Sequence, residues 1–483
     1  MQQPKLIPAL GFWTSVSLVV GGIIGSGIFM KPAIMASQLG SPELLIAVWI
    51  VAGIITIFGA LSNAEVAAMM PETGGQFVFF KAMYGDFFAF LYGWSAFAVF
   101  NTAGVASIAY VLGTYTEYFV QLPRFSPETE RSLQLYIPFI GSIFPLHNIG
   151  VKGVTIMVVL GLTYVNYRST RSGGDIQVVF TLLKVVAMAL IIAGLLFSGQ
   201  GDAANLVNNS ATTAPTGWAL VGALVAAISG AFWGYDGWNN ITFVAGEIRD
   251  PQRNIPKSLL TGLVICTAIY AFITMAYCYV LPIDSVAASS MVASDAATVV
   301  MGSAGGACIA LMVIISTFGT TNGNVLATAR VSFAMAQQKQ FFPFTGQVHP
   351  RFQTPGNALW LHGIWTSILV LSGSFDMLTD MLIFVSWLFY GMSAAGIFVL
   401  RKKLPHAERP YRVWGYPLVP AIFVAFTLFF LIATVVNDIR LYSAGKTDII
   451  NSLLGLLLTA LGIPLYWYFK GVHSRRSTDH SSK

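Results

Sequence analysis

The sequence predicts an all-α membrane protein with about twelve transmembrane helices, in a five-plus-five inverted repeat whose helices 1 and 6 are broken. Three observations lead to this fold class: a hydrophobic composition, a regular series of apolar runs, and two glycine clusters inside those runs. Of the 483 residues, 55% are hydrophobic and only 10% are charged, against roughly 25% charged residues in a soluble globular domain. Such a chain buries its helices in lipid and not in one soluble core.

The apolar runs are each about 20 residues long, enough to cross roughly 30 Å of hydrocarbon. They start near residues 8, 43, 85, 134, 176, 217, 257, 301, 357, 378, 417 and 448. We expect one membrane domain over 1–470, in which repeat one covers 8–198, repeat two covers 217–400, and two extra helices cover 417–470. A polar cytoplasmic tail, 471–483, follows this domain.

Lysine and arginine residues cluster in alternate loops between the apolar runs. These basic loops lie near 168–171, 249–257, 330–351 and 401–412. The loops at 199–216 and 283–300, in contrast, contain aspartates but no lysine or arginine. Because cytoplasmic loops carry the excess of positive charge, we expect the basic loops and both termini to be cytoplasmic, in a multi-pass protein of the cell (inner) membrane. The net charge of +6 reflects this orientation and does not indicate nucleic-acid binding.

Two of the predicted spans, the first and the sixth, contain glycine clusters. The clusters are Gly21-Gly22-Ile23-Ile24-Gly25-Ser26-Gly27 and Gly234-Tyr235-Asp236-Gly237. Glycine costs about 1 kcal/mol in a helix interior relative to alanine, so clusters in the first helix of each predicted repeat indicate deliberate unwinding. The alternative is that the small residues only allow neighbouring helices to pack closely.

An unwound segment in the membrane must line a polar cavity or be buried in protein, since lipid cannot satisfy its main-chain groups. The free N–H groups of the second half-helix suit a carboxylate, whereas the carbonyls that end the first half suit an ammonium. An α-amino acid has both groups. We expect Ser26 and Gly27 to donate to its carboxylate, and the carbonyls of Ile23, Trp233 and Asp236 to accept from its amino group. The breaks therefore predict a carrier for a small solute of this kind.

Four blocks of residues support this interpretation. They are 22–29 (GIIGSGIF), 64–65 (AE) with 71–75 (PETGG), 235–238 (YDGW) with Glu247, and 330–336 (RVSFAMA). In this order they resemble the L-type amino acid transporter family of the amino acid, polyamine and organocation superfamily, over nearly the whole chain. The resemblance implies the five-plus-five fold and sodium-independent exchange of neutral L-amino acids by alternating access. Proton-coupled uptake, and exchange of cationic amino acids or polyamines, remain the alternatives.

The resemblance also implies roles for four residues. In similar proteins an aromatic residue just before the second break is a gate over the substrate, and Trp233 matches it. A lysine on the fifth span stands where sodium-coupled relatives bind a cation, and Lys184 matches that lysine. Tyr270 matches a tyrosine that communicates with the lysine, and Asn239 matches a position that helps to hold the substrate or the unwound segment. A tryptophan at position 233 also resembles the arginine exchangers of the superfamily.

Lys184 is unusual on its own account, because it lies well inside the fifth apolar run. A charge at the centre of a membrane helix costs about 2.5–3.5 kcal/mol on insertion scales, which favours a role or a partner. We expect its ammonium to reach carbonyls at the first break and the hydroxyl of Ser316 or Thr317. In a dry site burial favours the neutral amine, so Lys184 is a candidate proton carrier as well as a fixed charge. Snorkelling of the ammonium to the lipid headgroups is the alternative.

Other polar residues carry less specific expectations. Asp236 either biases the site toward a cationic group or caps a half-helix. Asn239 has an alternative role in a buried hydrogen bond between helices. Glu65, Glu247 and Arg330, near the cytoplasmic ends of their spans, are expected to form ion pairs that break when the protein opens inward.

Several classes of function are excluded by what the sequence lacks. The cysteines Cys266, Cys278 and Cys308 lie in apolar runs, and neither they nor the six histidines have metal-ligand spacing. We therefore expect no enzyme activity, no cofactor and no metal site. A channel would require a ring of repeated polar residues. In animal relatives a cysteine in the loop after the third span binds a single-span glycoprotein, but the loop 121–147 has none. We therefore expect a bacterial member without a disulfide-linked heavy-chain partner, whose partners are the amino acid substrate and the lipid bilayer.

Overall fold

The computed structural model describes residues 10–71, 75–168, 174–208, 210 and 215–481. The side chains of 174–180, 244, 247 and 472–481 lie outside this description. Helices dominate the described residues, and a single two-stranded sheet accompanies them.

The first part of the chain contains nine α-helices and the two strands. They are α1 (Phe12–Ile23), α2 (Gly27–Leu39), α3 (Pro42–Met69), α4 (Gln76–Tyr84), α5 (Asp86–Ser95), α6 (Asn101–Thr116), α7 (Pro127–Ser132), β1 (Leu135–Ile137), β2 (Gly141–Ile143), α8 (Ile149–Arg168) and α9 (Gly174–Phe197). A π-helix, Ala96–Phe100, joins α5 to α6 in one continuous span.

Nine further α-helices lie in the described residues of the second part. It contains α10 (Trp218–Tyr235), α11 (Pro251–Val280), α12 (Ile283–Ala288), α13 (Val292–Gln337), α14 (Gly356–Ser372), α15 (Phe375–Lys403), α16 (Leu418–Ser443), α17 (Asn451–Ala460) and α18 (Gly462–Ser481). Three 3-10 helices complete it: Ala203–Leu206 before α10, Trp238–Glu247 after it, and Pro343–Gly346 after α13.

The all-α membrane class is confirmed. Among the described residues, nine helices are long and apolar enough to cross a membrane, and the bent pair of α1 and α2 adds a tenth span. The helices α9 and α14 lie where the fifth and ninth spans are predicted. The count of twelve and the inverted repeat stay predictions.

Two spans start at positions different from those predicted. The fourth run was expected near 134, but 135–143 form an antiparallel hairpin and α8 begins only at Ile149. Pro138 and Pro145 explain this difference, since proline removes a helix hydrogen-bond donor and clashes with the preceding turn. The eighth run was expected near 301, and the long helix α13 bends at Gly302, where φ is 70°.

The β1–β2 hairpin marks one end of the helix bundle, which we call the hairpin end. There the Ser142 N–H donates to the Asp448 carbonyl (2.8 Å), and the Ile450 N–H donates to the Ile140 carbonyl (2.8 Å). At the opposite end, the Arg249 N–H donates to the Leu10 carbonyl (2.9 Å). These contacts connect loops that are distant in sequence and define the two faces between which the candidate site lies.

The helices α3, α10 and α11 form a tightly packed frame around the middle of the bundle. Trp49 of α3 is fully buried, and its ring packs edge-on against Tyr270 of α11 with centroids 5.0 Å apart. The Tyr235 hydroxyl at the end of α10 donates to the Trp49 carbonyl at 2.9 Å. This frame holds the segments that connect α1 to α2 and α10 to its 3-10 helix.

Candidate functional site

The first predicted break is present. Helix α1 ends at Ile23, α2 begins at Gly27, and the two axes differ by 43°. Ile24 leaves the helical conformation (φ −72°, ψ 90°), and Ser26 occupies the N-cap position of α2 without a side-chain capping bond. The first turn of α2 therefore presents main-chain N–H groups, with their partial positive charge, to the middle of the bundle.

The second predicted break is present as well. Helix α10 ends at Tyr235, Asp236 is extended, and Gly237 has a φ of 98° before the 3-10 helix begins at Trp238. This positive φ favours glycine. A side chain is also excluded by space, since a Cβ atom on Gly237 would lie 2.6 Å from the Gly22 carbonyl oxygen.

The two breaks touch each other through their glycines. A Cβ atom on Gly27 would lie 2.6 Å from the Gly234 Cα, and one on Gly22 would lie 3.1 Å from the Gly237 oxygen. Both explanations of the glycine clusters therefore hold. The glycines permit unwinding, and they also let the unwound segments approach each other closely.

A cavity of about 70 Å³, which we call the central cavity, lies between the two breaks and the helices α6 and α13. Its polar side chains are Ser26, Asn101, Asp236, Asn240, Asn324 and Thr328. Ile23, Gly27 and Trp233 also line it. Five of the six predicted substrate-binding residues thus meet at one cavity, and the sixth, Asn239, lies beside it in the wall of a smaller cavity of about 30 Å³.

The central cavity contains an unsatisfied hydroxyl group, that of Ser26. The residue is buried, and its hydroxyl has no hydrogen-bond partner among the described residues. An unpaired buried hydroxyl costs about 1–3 kcal/mol. At the N-terminus of α2, this hydroxyl is suited to donate to an anionic group such as a carboxylate.

Tyr270 connects the two breaks directly. Its hydroxyl oxygen lies 3.0 Å from the Ile23 carbonyl oxygen and 2.8 Å from the Gly234 carbonyl oxygen, so its single proton is shared between them. A carbonyl oxygen has two lone pairs, so Ile23 keeps acceptor capacity for a second donor. The Trp233 carbonyl accepts the Asp236 N–H at 3.2 Å.

Lys184 points into the bundle and not toward the headgroups. Its ammonium donates to the Thr320 hydroxyl (2.6 Å) and to the Ile24 carbonyl at the first break (3.5 Å). The expected contact with the first break is confirmed, but the hydroxyl on α13 is that of Thr320. The prediction of Ser316 or Thr317 was wrong by about one turn of α13, since the apolar runs alone do not fix how α9 and α13 are aligned along their axes. Lys184 and Tyr270 thus meet neighbouring carbonyls of the same break.

Asp236 lies in the wall of both the central cavity and its smaller neighbour. Its carboxylate accepts the hydroxyl proton of Tyr390 at 2.9 Å. The N-cap position of the following 3-10 helix belongs to Gly237. The second break therefore places one carboxylate, held by a hydrogen bond from α15, at the edge of the central cavity.

Asn239 is the centre of a buried network between four segments. Its amide nitrogen donates to Gln76 (3.0 Å), and its amide oxygen accepts from the side chain of Asn63 (2.8 Å). The Ser393 hydroxyl in turn donates to the Asn63 oxygen at 2.9 Å. Both ends of the Asn239 amide are thus used inside the protein, which matches the alternative of a buried hydrogen bond between helices.

Trp233 lies between the central cavity and the hairpin end. Its ring packs edge-on against Phe375 at the start of α15, with centroids 6.2 Å apart. Lys31 of α2 in turn lies over the Phe375 ring, with Nζ 5.0 Å from the centroid. Trp233, Phe375 and Lys31 form a layer that separates the central cavity from the hairpin end.

The predicted ion pairs at the opposite end differ from what was expected. Glu65 is buried and accepts two hydrogen bonds from the Arg401 guanidinium (3.0 and 2.7 Å), with Arg409 at 3.5 Å. Among the described residues no ion pair involves Arg330, which is exposed, and the Glu247 side chain lies outside the description. Arg401, the partner of Glu65, lies in the last turn of α15. It was missed because it is more than 300 residues further along the chain.

The sequence analysis did not identify the asparagines of the central cavity. Asn101 follows the π-helix of the third span directly, and π-bulges in helices often lie at functional sites. Asn324 donates to the Thr320 carbonyl at 2.9 Å and so lies next to the contact of Lys184. Polar residues inside apolar runs are the signal that identifies them, although a structural hydrogen bond between helices has the same signature. Among the described residues, no group of three or more His, Cys, Asp or Glu side chains is suited to a metal ion.

Comparison with known proteins agrees with this geometry. Residues 10–458 match the family described as amino acid permease. The serine/threonine exchanger SteT of Bacillus subtilis is 32% identical over 465 residues, which are 95% of this chain and 96% of that protein. The human large neutral amino acids transporter small subunit 2 is 30% identical over 96% of this chain and 80% of its own length. The human b(0,+)-type amino acid transporter 1 is 29% identical over 90% and 85%, respectively.

Proposed function

The chain belongs to the amino acid permease family, and we propose that it exchanges neutral L-amino acids across the membrane without sodium. Like its relatives of the L-type group, it is a multi-pass membrane protein that transports amino acids and is not an enzyme. The observation that carries the finer proposal is the pair of broken helices facing one cavity, with the unpartnered Ser26 hydroxyl between them.

The substrate's backbone would be bound mainly by main-chain groups. Ser26 and Gly27, at the positive end of α2, would hold the carboxylate. The carbonyls of Ile23, Trp233 and Asp236, at the ends of the first half-helices, would accept from the ammonium. Every L-amino acid has these two groups in the same arrangement, so this part of the site would not discriminate among side chains.

Selectivity would come from the remaining wall of the central cavity. The central cavity, at about 70 Å³, is small, which supports a substrate with a small side chain. Asn101, Asn324 and Thr328 offer this side chain hydrogen-bonding partners. SteT is named as a serine/threonine exchanger, which supports a substrate of the same size and polarity. We therefore propose small neutral amino acids such as serine as preferred substrates.

Two observations favour the alternatives. The Asp236 carboxylate lies at the cavity and would suit a cationic amino acid or a polyamine. The Lys184 ammonium would suit proton coupling if it released its proton during transport. We propose instead that Lys184 is a fixed substitute for a bound sodium ion. Its hydrogen bonds to Thr320 and Ile24 supply positive charge at the first break throughout the cycle.

We further propose that Trp233 is the gate and that the hairpin end faces the outside of the cell. The opposite end carries the cluster Arg401, Lys402 and Lys403 together with Arg249, as expected for a cytoplasmic side. Both termini would then be cytoplasmic, in the cell membrane. The loop that contains the hairpin has no cysteine, which supports a chain that works without a disulfide-linked heavy chain.

Uptake of radiolabelled serine into liposomes that contain only the purified chain tests this function. Internal serine, the sodium gradient and the proton gradient are varied separately. We expect uptake to require internal serine and to ignore both gradients. Uptake into empty vesicles that is driven by a proton gradient would contradict exchange and would make Lys184 the leading candidate for the proton carrier. Failure of the lone chain, together with recovery when a single-span partner is supplied, would contradict the absence of a heavy chain.

A further inference from the structure

A second and larger cavity, of about 430 Å³, opens at the hairpin end, and we call it the vestibule. Residues of α2, α10, α15 and α16 line it together with the hairpin loop. Lys31 is part of its wall, and the layer of Trp233, Phe375 and Lys31 separates it from the central cavity. A molecule that enters from the hairpin end must pass through the vestibule before it reaches the breaks.

Three carboxylates lie on one wall of the vestibule, and among the described residues one ammonium, that of Lys31, is paired with two of them. Lys31 Nζ lies 2.7 Å from Asp376 Oδ1 and 3.6 Å from Asp380 Oδ1, and Asp438 near the end of α16 is the third carboxylate. The Lys31 side chain is only 2% exposed, whereas those of Asp376 and Asp380 are 47% and 37% exposed. This wall therefore has an excess of negative charge that is accessible from the cavity.

The other charged residues of the vestibule lie on the hairpin side. Lys152 donates to the carbonyls of Phe144 (3.2 Å) and Leu371 (3.0 Å), so its ammonium is already satisfied. Glu130 faces His147 at 3.8 Å and accepts the Asn148 N–H. Arg131 and Asp448 complete the lining. The hairpin side is thus close to balanced in charge, and the negative excess lies on the α15 and α16 wall.

An unpartnered polar group lies on that same wall. Thr434, one turn before Asp438, is 8% exposed, and its hydroxyl has no hydrogen-bond partner among the described residues. The side-chain oxygens of Thr447 and Asn451, which also line the vestibule, are buried and unpartnered as well. A primary ammonium has three donors, and carboxylate, hydroxyl and amide oxygens are the acceptors that it requires.

We propose that the vestibule is a staging site for the primary ammonium group of an incoming substrate, held by Asp438 and Asp380 beside Thr434. The amino acid would wait there until the layer of Trp233 and Phe375 opens. This inference rests on the proposed function, because it takes the transported amino acid as the source of the ammonium. A free polyamine has the same chemistry, and comparison of the serine KM with the inhibition by putrescine separates the two sources.

The test uses Asp438→Asn in intact cells that express the full chain, with substrate added to the medium. Asparagine can still accept the Ser452 N–H that Asp438 accepts at 3.0 Å, so the start of α17 keeps its hydrogen bond. The control is Asp284→Asn, which removes an equal charge from an exposed residue that does not line the vestibule. Putrescine serves as a second probe. It is a diamine without a carboxylate, so it has no group that the N-terminus of α2 can bind.

We expect Asp438→Asn to raise the KM for external serine about fivefold at unchanged kcat, and to weaken inhibition by external putrescine to a similar extent. Asp284→Asn should change neither quantity. Both effects should shrink at high ionic strength, since attraction by a water-exposed charge is screened. If only the inhibition by putrescine weakens, the vestibule binds free polyamines, and serine is not the source of the ammonium group that it binds.

Equal serine KM and equal putrescine inhibition in the two variants would overturn the staging site. Different results decide between failure of the proposed function and failure of the vestibule proposal. A wild-type chain that does not exchange serine at all would refute the function, whereas exchange that is unaffected by Asp438→Asn refutes the vestibule proposal alone. Loss of protein from the membrane in Asp438→Asn is detected by surface labelling, and Asp380→Asn then provides the same test.

Discussion

The central cavity and the vestibule lie on opposite sides of the contact between Trp233 and Phe375, and they consist of different kinds of groups. The central cavity is small, about 70 Å³, and combines main-chain groups freed by two helix breaks with uncharged polar side chains and one carboxylate, that of Asp236. The vestibule is about 430 Å³, and its polarity comes from the side chains of Lys31, Asp376, Asp380 and Asp438. Main-chain groups cannot be replaced by substitution, whereas side-chain charges can. The two cavities should therefore respond to different substitutions.

Steric change at the breaks should have the largest effect, and only on the central cavity. In Gly27→Ala the new methyl group would lie 2.6 Å from the Gly234 Cα, a backbone atom that cannot move away alone. Overpacking typically costs about 1–3 kcal/mol, so we expect serine exchange to fall about tenfold or more. The control is Gly194→Ala on α9, where an added Cβ meets nothing within 4 Å. Equal transport rates in the two variants would show that the contact between the breaks is dispensable.

Loss of the charge at the first break should come next. Lys184→Gln removes an ammonium that donates to Thr320 and Ile24, and hydrogen bonds of charged groups contribute about 1.5–3 kcal/mol each. We expect about a tenfold loss of exchange, partly restored in Lys184→Arg. Lys257→Gln, at an exposed position of α11, controls for the loss of charge. A fixed charge also predicts that an imposed proton gradient does not accelerate exchange by the wild type, whereas acceleration by the gradient would favour proton transfer.

The fold could be predicted well where a signal is local in sequence. Apolar runs predicted most helices, and the glycine clusters predicted both breaks to within a few residues. The start of α8 was misplaced, because tyrosine, isoleucine and phenylalanine in 134–144 are apolar by composition although they form a partly exposed hairpin. Hydropathy does not distinguish a short strand pair from the beginning of a span, and only Pro138 and Pro145 indicated the difference.

The candidate site was predictable to the extent that it is made of main chain. Ser26, Gly27 and Asp236 follow from the breaks themselves, and all three line the central cavity. Lys31 and Asp376 were missed because their ion pair joins residues 345 positions apart, which no short-range pattern reveals. The partner of Glu65 was missed for the same reason. Side-chain pairs between distant helices depend on packing, and packing is what a single sequence expresses least directly.

Removal of the barrier should affect both cavities, because Trp233 lies between them. Trp233→Ala deletes the contact with Phe375, and we expect exchange to fall about fivefold while passive leak of serine rises, since the barrier loses its largest ring. Trp233→Phe keeps an aromatic ring and should remain near the wild type. Trp218→Ala, at a highly exposed tryptophan at the start of α10, is the matched control. Leak is measured as efflux from vesicles without external amino acid, and an unchanged leak in Trp233→Ala would contradict the gate.

The smallest effect should come from the vestibule alone, and with the opposite sign to that of Asp438→Asn. Lys31→Gln removes the one ammonium that neutralises Asp376 and Asp380, so the wall becomes more negative by one charge. One charge several Å away in a water-filled space contributes somewhat less than about 1 kcal/mol, so we expect external putrescine to inhibit about threefold more strongly. The KM for internal serine should not change, because the central cavity keeps all its groups. If Lys31→Gln instead weakened putrescine inhibition, the ammonium would be holding Asp376 and Asp380 in the arrangement that binds cations, and the vestibule would be preorganised by Lys31 as strictly as the central cavity is by its glycines.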